Sequence, residues 1–199
     1  MHGVLGTTAG KCIAVFCGSA SGSHHNYHSE AIAIGDAIAR AGHMLVYGGG
    51  RVGLMGAVAD GCLDAGGRVV GVMPQALVDR EIAHTGLTEM IISADMHERK
   101  AKMAERADAF VVLPGGSGTL EEFFEQWTWA QIGYHQKPIG LLNLNGYFDP
   151  LLAMIDQMVD AGFLSEAHRE MLSHAPLIND LLRSFSGYNH PPQKVYEQH

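Results

Sequence analysis

Basic residues are scarce in this chain. Lys and Arg together number 13 against 21 Asp and Glu, for a formal net charge of −8 at pH 7. A nucleic-acid strand needs a basic footprint to displace its counterions, so nucleic acid is excluded as the main partner. One small phosphate ligand is not excluded, because a nest of amides and a few cations suffice to hold it. Cysteine is scarce as well. Cys12, Cys17 and Cys62 are odd in number and scattered, which gives neither a disulfide framework nor a CxxC metal site. They read as small buried apolar side chains in a reducing compartment, and the expected location is the cytoplasm. No apolar run approaches the roughly 18 residues of a membrane span, so no membrane association is expected. Residues 1–10 lack a basic n-region and a long apolar stretch, and are expected to be a flexible lead-in rather than a signal peptide.

Apolar residues make up 47% of the chain and charged residues 17%, a balance that argues for a packed domain. Its 199 residues suit one domain and are short for two. Short apolar runs alternate with helical patterns, the signature of a parallel sheet with crossover helices. Strands are predicted over 12–17, 44–47, 68–73, 89–92, 109–113 and 138–142. Pro74 is expected to end the third. Helices are predicted over 27–41, 54–65, 96–106, 119–131 and 148–161, with two shorter ones over 166–172 and 176–185. Within the first helix, Ile32, Ile34, Ile38 and Ala39 are expected among the inward positions. No repeat and no interdomain linker is visible. The reading is one doubly wound α/β domain over 11–186 with helices on both faces of a parallel sheet, followed by a flexible tail over 187–199. In such folds ligands bind at the carboxyl ends of strands.

Two glycine-rich segments fall at that position. One follows the second strand: Tyr47-Gly48-Gly49-Gly50-Arg51-Val52-Gly53-Leu54-Met55-Gly56. The other follows the fifth: Pro114-Gly115-Gly116-Ser117-Gly118-Thr119-Leu120-Glu121-Glu122. Glycines let backbone amides approach a ligand, and each segment opens a helix whose first amides are unpaired and whose dipole end is positive. Thr119 can cap its helix or offer a hydroxyl to a phosphate oxygen. Gly48, Gly50 and Gly53 formally match GxGxxG. The acidic residue that a dinucleotide site needs near the end of the next strand is absent, because Met73-Pro74-Gln75 stands there. A P-loop fails on spacing.

Charged residues complete the candidate site. Met96-His97-Glu98-Arg99-Lys100 opens a helix after a strand, where Arg99 could clamp a phosphate or ribose bidentately. Glu121 and Glu122 follow the second glycine turn. A carboxylate beside a bound ribose could stabilise oxocarbenium character at the anomeric carbon and orient a water. Adjacent helical residues differ by about 100°, so only one of the two can point inward. His24, His25 and His28 read as a solvated loop, not as metal ligands, and His97 is expected to face away from Arg99. Phe123, Phe124, Trp127 and Trp129 make one helix apolar on more than one face, which asks for a second burial surface. A homodimer through this helix and the 96–106 helix is the expected answer.

The segment PGGSGTLEE (114–122), with MHERK (96–100) upstream, resembles the LONELY GUY family of cytokinin riboside 5′-monophosphate phosphoribohydrolases. The family pattern PGGxGTxxE is matched at every fixed position, ending at Glu122. The likeness extends to CGS (17–19), VYGGGRVGLMG (46–56) and TWAQIGYHQKP (128–138), and covers about 11–182. The resemblance implies a Rossmann-like homodimer or larger oligomer with no metal or cofactor. It implies hydrolysis of the N-glycosidic bond of N6-substituted adenosine 5′-monophosphates, and often of AMP, to free base and ribose 5-phosphate. Arg99 and Glu122 match the family's catalytic pair, and Glu81, Lys100, Gly116 to Glu122 and Thr128 match nucleotide contacts. The wider set of expected contacts comprises Gly18, Ser19, Gly48, Gly49, Gly50, Glu81, Met96, Lys100, Gly115, Gly116, Ser117, Gly118, Thr119, Leu120, Glu121 and Thr128. The phosphate is expected on the amides of Gly116, Gly118 and Thr119, helped by the Gly48–Gly50 turn. Rival readings are a general AMP nucleosidase, a non-catalytic nucleotide carrier or sensor, and, more distantly, an NAD-dependent oxidoreductase. Such sequences are often labelled lysine decarboxylases, a chemistry for which no Schiff-base lysine is evident.

Overall fold

The computed structural model describes residues 10–192 other than 25 and 81. The strands are β1 (Cys12–Phe16), β2 (Met44–Tyr47), β3 (Val69–Pro74), β4 (Glu89–Ser93), β5 (Ala109–Val112), β6 (Ile139–Leu142) and β7 (Leu172–Ala175). They form one sheet in the order β4-β3-β2-β1-β5-β6-β7, every pair parallel. The connections are α1 (Tyr27–Arg40), α2 (Gly53–Asp64), α3 (Gln75–Val78), α4 (Met96–Arg106), α5 (Ser117–Gln131), a 3-10 turn (Leu144–Gly146), α6 (Asp149–Asp160), α7 (Glu166–Glu170) and, last among the described residues, α8 (Ile178–Ser186).

Because helices cover both faces, the central strands read as unbroken apolar runs; CIAVF in β1 and AFVV in β5 are buried throughout. Alternation still divides them. Ala14, Phe16, Phe110 and Val112 face α4, α5 and α6, while Ile13, Val15, Val111 and Leu113 face α1, α2 and α8. The two largest helices of the second face meet backbone to backbone. A Cβ on Gly35 would sit 2.1 Å from the Val58 carbonyl oxygen, and one on Gly61 would sit 2.0 Å from that of Ile32. Glycine is required there by close approach, not by an unusual φ.

Several expectations change. The predicted helix over 166–172 stops at Glu170, and Leu172–Ala175 becomes β7, pairing with β6. The four residues LSHA are too short and too polar to announce a strand; β7 is an edge, with only Leu172 fully buried. Pro74 lies within β3, opposite Ser93, rather than after it. Ile32 is not inward: it is 38% exposed, whereas Ile34 and Ile38 are buried. Its own backbone, not its side chain, makes the contact with α2. Residues 1–9 of the expected lead-in and 193–199 of the expected tail lie outside the described residues. Between them, His190 Nε2 lies 3.0 Å from the Ala130 carbonyl oxygen, so the stretch after α8 runs back along the end of α5. Among the described residues no helix is long and apolar enough to cross a membrane.

Candidate active site

The chain leaves β1 toward one end of the sheet order and, after β4, returns to place β5 on the opposite side of β1. The switch point of the topology therefore lies between β1 and β5, where their carboxyl-end loops diverge and leave a crevice. The two loops are tied together. Gly18 N–H donates to the Pro114 carbonyl at 3.1 Å, and Leu54 N–H, from the start of α2, donates to the Gly18 carbonyl at 3.0 Å.

α5 begins at this crevice, and earlier than the sequence pattern predicts. Gly116 is its N-cap, with no side-chain hydrogen bond to the first turn, and Ser117, Gly118 and Thr119 form that turn. Thr119 is therefore inside the helix and is not its cap. Its side chain is buried beside Gly115, where an added Cβ would lie 2.1 Å from Thr119 Oγ1 and 2.8 Å from the Gly18 nitrogen. Gly115 is thus fixed by packing. Gly116 and Gly118 are different: a Cβ on either would meet nothing within 4 Å, and neither has a positive φ. Nothing internal demands glycine at these two positions, and a glycine inside a helix costs about 0.5–1 kcal/mol relative to alanine. What their hydrogens leave open is the crevice itself, with the first amides and the positive end of the α5 dipole facing it.

That crevice has a volume of about 330 Å³. Its floor is Cys17, Gly18, Ser19 and the first turn of α5, and its walls are Met55 of α2, Met96 and Arg99 of α4, and Glu121 and Glu122 of α5. A second hollow of about 320 Å³ adjoins it across Gly18, Ser19 and Gly116, with Tyr27, Leu54, Pro114 and Tyr147 around it.

Glu122 and Arg99 face each other in the first hollow. Arg99 Nη2 lies 3.5 Å from Glu122 Oε1, and their side chains are only 10% and 11% exposed. That separation exceeds a good charge-assisted hydrogen bond, so the pair is loose. Arg99 Nη1 lies 3.6 Å from the soft Met96 sulfur, and Arg99 Nε is buried with no hydrogen-bond partner among the described residues. The guanidinium thus retains unused donors inside the site. Burial pushes the Glu122 carboxyl up to about 7, and the neighbouring Arg99 charge only partly offsets it. Burial likewise raises the thiol of Cys17, and the Glu122 charge adds to that effect, so Cys17 is a neutral floor and not a nucleophile.

Glu121 also borders the crevice, but its carboxylate is held by a cation. Buried Lys100 donates to Glu121 and, at 2.9 Å, to Glu125. Burial acts to lower the Lys100 pKa, yet those two bonds hold it above its ordinary value. Lys100 therefore ties α4 to α5 behind the crevice, and it does not line it, as the resemblance implied it would. Five further expected contacts also lie outside the crevice lining. Leu120 packs into the core on the α4–α6 face. Thr128 is exposed and lies six positions beyond Glu122, about 9 Å farther along α5. The turn Gly48–Gly50 follows β2, one strand away from the switch point, and the backbone at its far end pairs with residues 82–84. Arg51 N–H donates to the Ile82 carbonyl at 3.0 Å, and His84 N–H to the Gly49 carbonyl at 2.9 Å. This turn backs Arg99 instead: a Cβ on Gly48 would lie 1.8 Å from Arg99 Nη2. Glu81 lies outside the described residues. Sequence reasoning missed Met55 and Tyr147, for which no local pattern gave a signal.

Comparison with known proteins adds to this geometry. A family model described as "possible lysine decarboxylase" matches residues 55–185. The cytokinin riboside 5′-monophosphate phosphoribohydrolase LOG7 of Arabidopsis thaliana is 49% identical over 178 residues, 89% of this chain and 82% of that protein. The probable cytokinin riboside 5′-monophosphate phosphoribohydrolase LOGL1 of Oryza sativa subsp. japonica is 47% identical over 183 residues, 92% of this chain and 82% of that protein. Among solved structures, the molybdenum cofactor carrier protein MCP of Chlamydomonas reinhardtii superposes with a TM-score of 0.68, covering 89% of this chain and 97% of that chain. At 22% identity that likeness speaks for the Rossmann-like fold alone.

Proposed function

This chain belongs to the LONELY GUY family of cytokinin riboside 5′-monophosphate phosphoribohydrolases, and on that premise we propose that it hydrolyses N6-substituted adenosine 5′-monophosphates to the free base and ribose 5-phosphate. The observation that carries the reading is the placement of Glu122. Its buried carboxylate faces Arg99 in the same crevice as the uncapped, glycine-opened start of α5. In a helix side chains lean toward the N-terminus, so Glu122 leans back toward the amides of Ser117, Gly118 and Thr119.

The 5′-phosphate sits on those amides, with Gly116 N–H and the open edge of Gly118 completing the cradle. Arg99 supplies a cation to the sugar phosphate and keeps Glu122 partly ionised. The C1′–N bond breaks with its electron pair leaving on the base. Positive charge builds at C1′ and is met by the Glu122 carboxylate. A water, oriented by the same carboxylate, bonds to C1′ and gives up a proton to it. A carboxyl titrating at about 7 suits that exchange near neutrality. The base lies against Met55 and Met96, two adaptable apolar side chains. Among the described residues no lysine lines the crevice, and Lys100 is held as a paired ammonium, which disfavours the lysine-decarboxylase label. The free, buried thiols of Cys12, Cys17 and Cys62 suit a cytoplasmic setting.

The working form is a homodimer. Phe123 and Trp127 are buried in the chain's own core, but Phe124 and Trp129 are only partly covered, and Met96 is 43% exposed at the start of α4. A second copy on the α4–α5 face would cover them. Sedimentation at micromolar concentration tests this; a monomer contradicts it. The activity is tested by incubating the protein with AMP, isopentenyladenosine monophosphate and other nucleoside monophosphates, and separating the products by chromatography. Free base with ribose 5-phosphate is expected. Failure to release base from every nucleotide would leave a carrier or sensor in its place.

A further inference from the structure

The peptide between Gly115 and Gly116 stands at the head of the crevice, and nothing in its own sequence holds it. Rotating a peptide plane changes ψ of the residue before it and φ of the residue after it. Glycine on both sides makes that rotation sterically permissive. Yet its orientation matters. In a trans peptide the C=O and N–H point in opposite directions. One orientation presents the Gly116 N–H to an anion; the flipped one presents the Gly115 carbonyl lone pairs and repels it.

A side chain from outside the motif takes hold of this peptide. Tyr147 Oη donates to the Gly115 carbonyl oxygen at 2.6 Å. Tyr147 lines the second hollow, whereas the first turn of α5 and Glu122 line the first, and Gly116 borders both. The segment that delivers Tyr147 is itself constrained. Asn145 adopts φ 54°, a left-handed conformation uncommon outside glycine, and Gly146 follows at φ 71°. Asn145 Nδ2 donates to Asn26 Oδ1 at 3.2 Å, and Asn143 Oδ1 accepts from Phe148 N–H at 2.7 Å. The Tyr147 ring stands edge-on to Tyr27 at 6.1 Å and to Phe148 at 5.0 Å between centroids.

We infer that Tyr147 is a positioning residue: by binding the Gly115 carbonyl on one side of the peptide it keeps the Gly116 N–H turned toward the phosphate on the other. This rests on the reading that the α5 amides hold the substrate's phosphate. Tyr147 touches no reacting atom, so its effect belongs to binding.

The test is Tyr147→Phe, which keeps the ring and its aromatic contacts and removes the hydroxyl. One hydrogen bond of ordinary net worth corresponds to roughly a three- to tenfold effect. The KM for the nucleotide and the dissociation constant of ribose 5-phosphate, measured calorimetrically, should both rise by that factor. The loss should fall on KM rather than kcat, and Tm should stay within a degree or two of the parent. With 15N-glycine labelling, the Gly116 amide resonance should shift on adding ribose 5-phosphate to the parent protein and shift less in the variant. Unchanged ribose 5-phosphate affinity, or a loss confined to kcat, would overturn the inference. Failure of the parent protein itself to bind ribose 5-phosphate would instead overturn the phosphate reading on which it rests.

Discussion

Replacing Glu122 by glutamine removes a charge that burial disfavours while keeping the side chain's size and its polar head. In the fold this carboxyl titrates at about 7 against an ordinary value of 4.5, chiefly because it is buried, with Arg99 pulling the other way. The folded state therefore binds the proton more tightly than the unfolded chain does. Between about pH 4.5 and pH 7 the native protein holds more protons, so stability falls as pH rises through that window and is level above it. At 1.36 kcal/mol per pKa unit, the ionised carboxylate costs the fold about 3 kcal/mol at pH 8. Glutamine mimics the protonated form, so Glu122→Gln should be more stable than the parent by about that amount at pH 8, and by nearly nothing at pH 4. For a chain of this length that corresponds to a Tm higher by on the order of 5–10 °C. Release of free base should meanwhile fall by roughly 10²–10³-fold, the usual cost of losing a preorganised electrostatic group. The assay pairs thermal denaturation at the two pH values with base release at pH 8. A variant that is less stable at pH 8, or equally displaced at both pH values, would refute the account of burial. A variant with near-parental turnover would refute the role of the carboxylate.

Two other substitutions separate packing from function. Gly118→Ala meets no atom of the protein and gains helix propensity, so stability should hold or rise by about 0.5 kcal/mol. Because the methyl enters the phosphate cradle, the KM for the nucleotide should rise roughly tenfold or more, through crowding of about 1–3 kcal/mol; an unchanged KM would place the phosphate elsewhere. Gly35→Ala does the reverse, since its Cβ would press on the Val58 carbonyl where α1 meets α2. Chemical denaturation should report a loss of about 1–3 kcal/mol with KM unchanged, and a neutral effect would mean that the two helices separate more easily than their contact suggests.

Much of this protein was legible before any coordinates. The unbroken apolar runs of β1 and β5 can only be strands covered on both faces, and their alternation with helical periods forces a parallel sheet. The glycines of 114–118 announced a strand-to-helix turn built for close approach, and the resemblance singled out Glu122 and Arg99. Those are local facts, written in neighbouring residues. β7 was not legible, because an edge strand of four residues takes its conformation from β6 and not from its own composition. Nor were the partners of the side chains. That Gly48 makes room for Arg99, that Lys100 serves Glu121 and Glu125 behind the crevice, and that Tyr147 reaches the Gly115 carbonyl are contacts between residues 21 to 51 positions apart in the chain. Sequence pattern decides what each segment prefers to be; which segments meet, and how deeply a carboxylate is buried where they do, is settled only when the strand order closes β1 against β5.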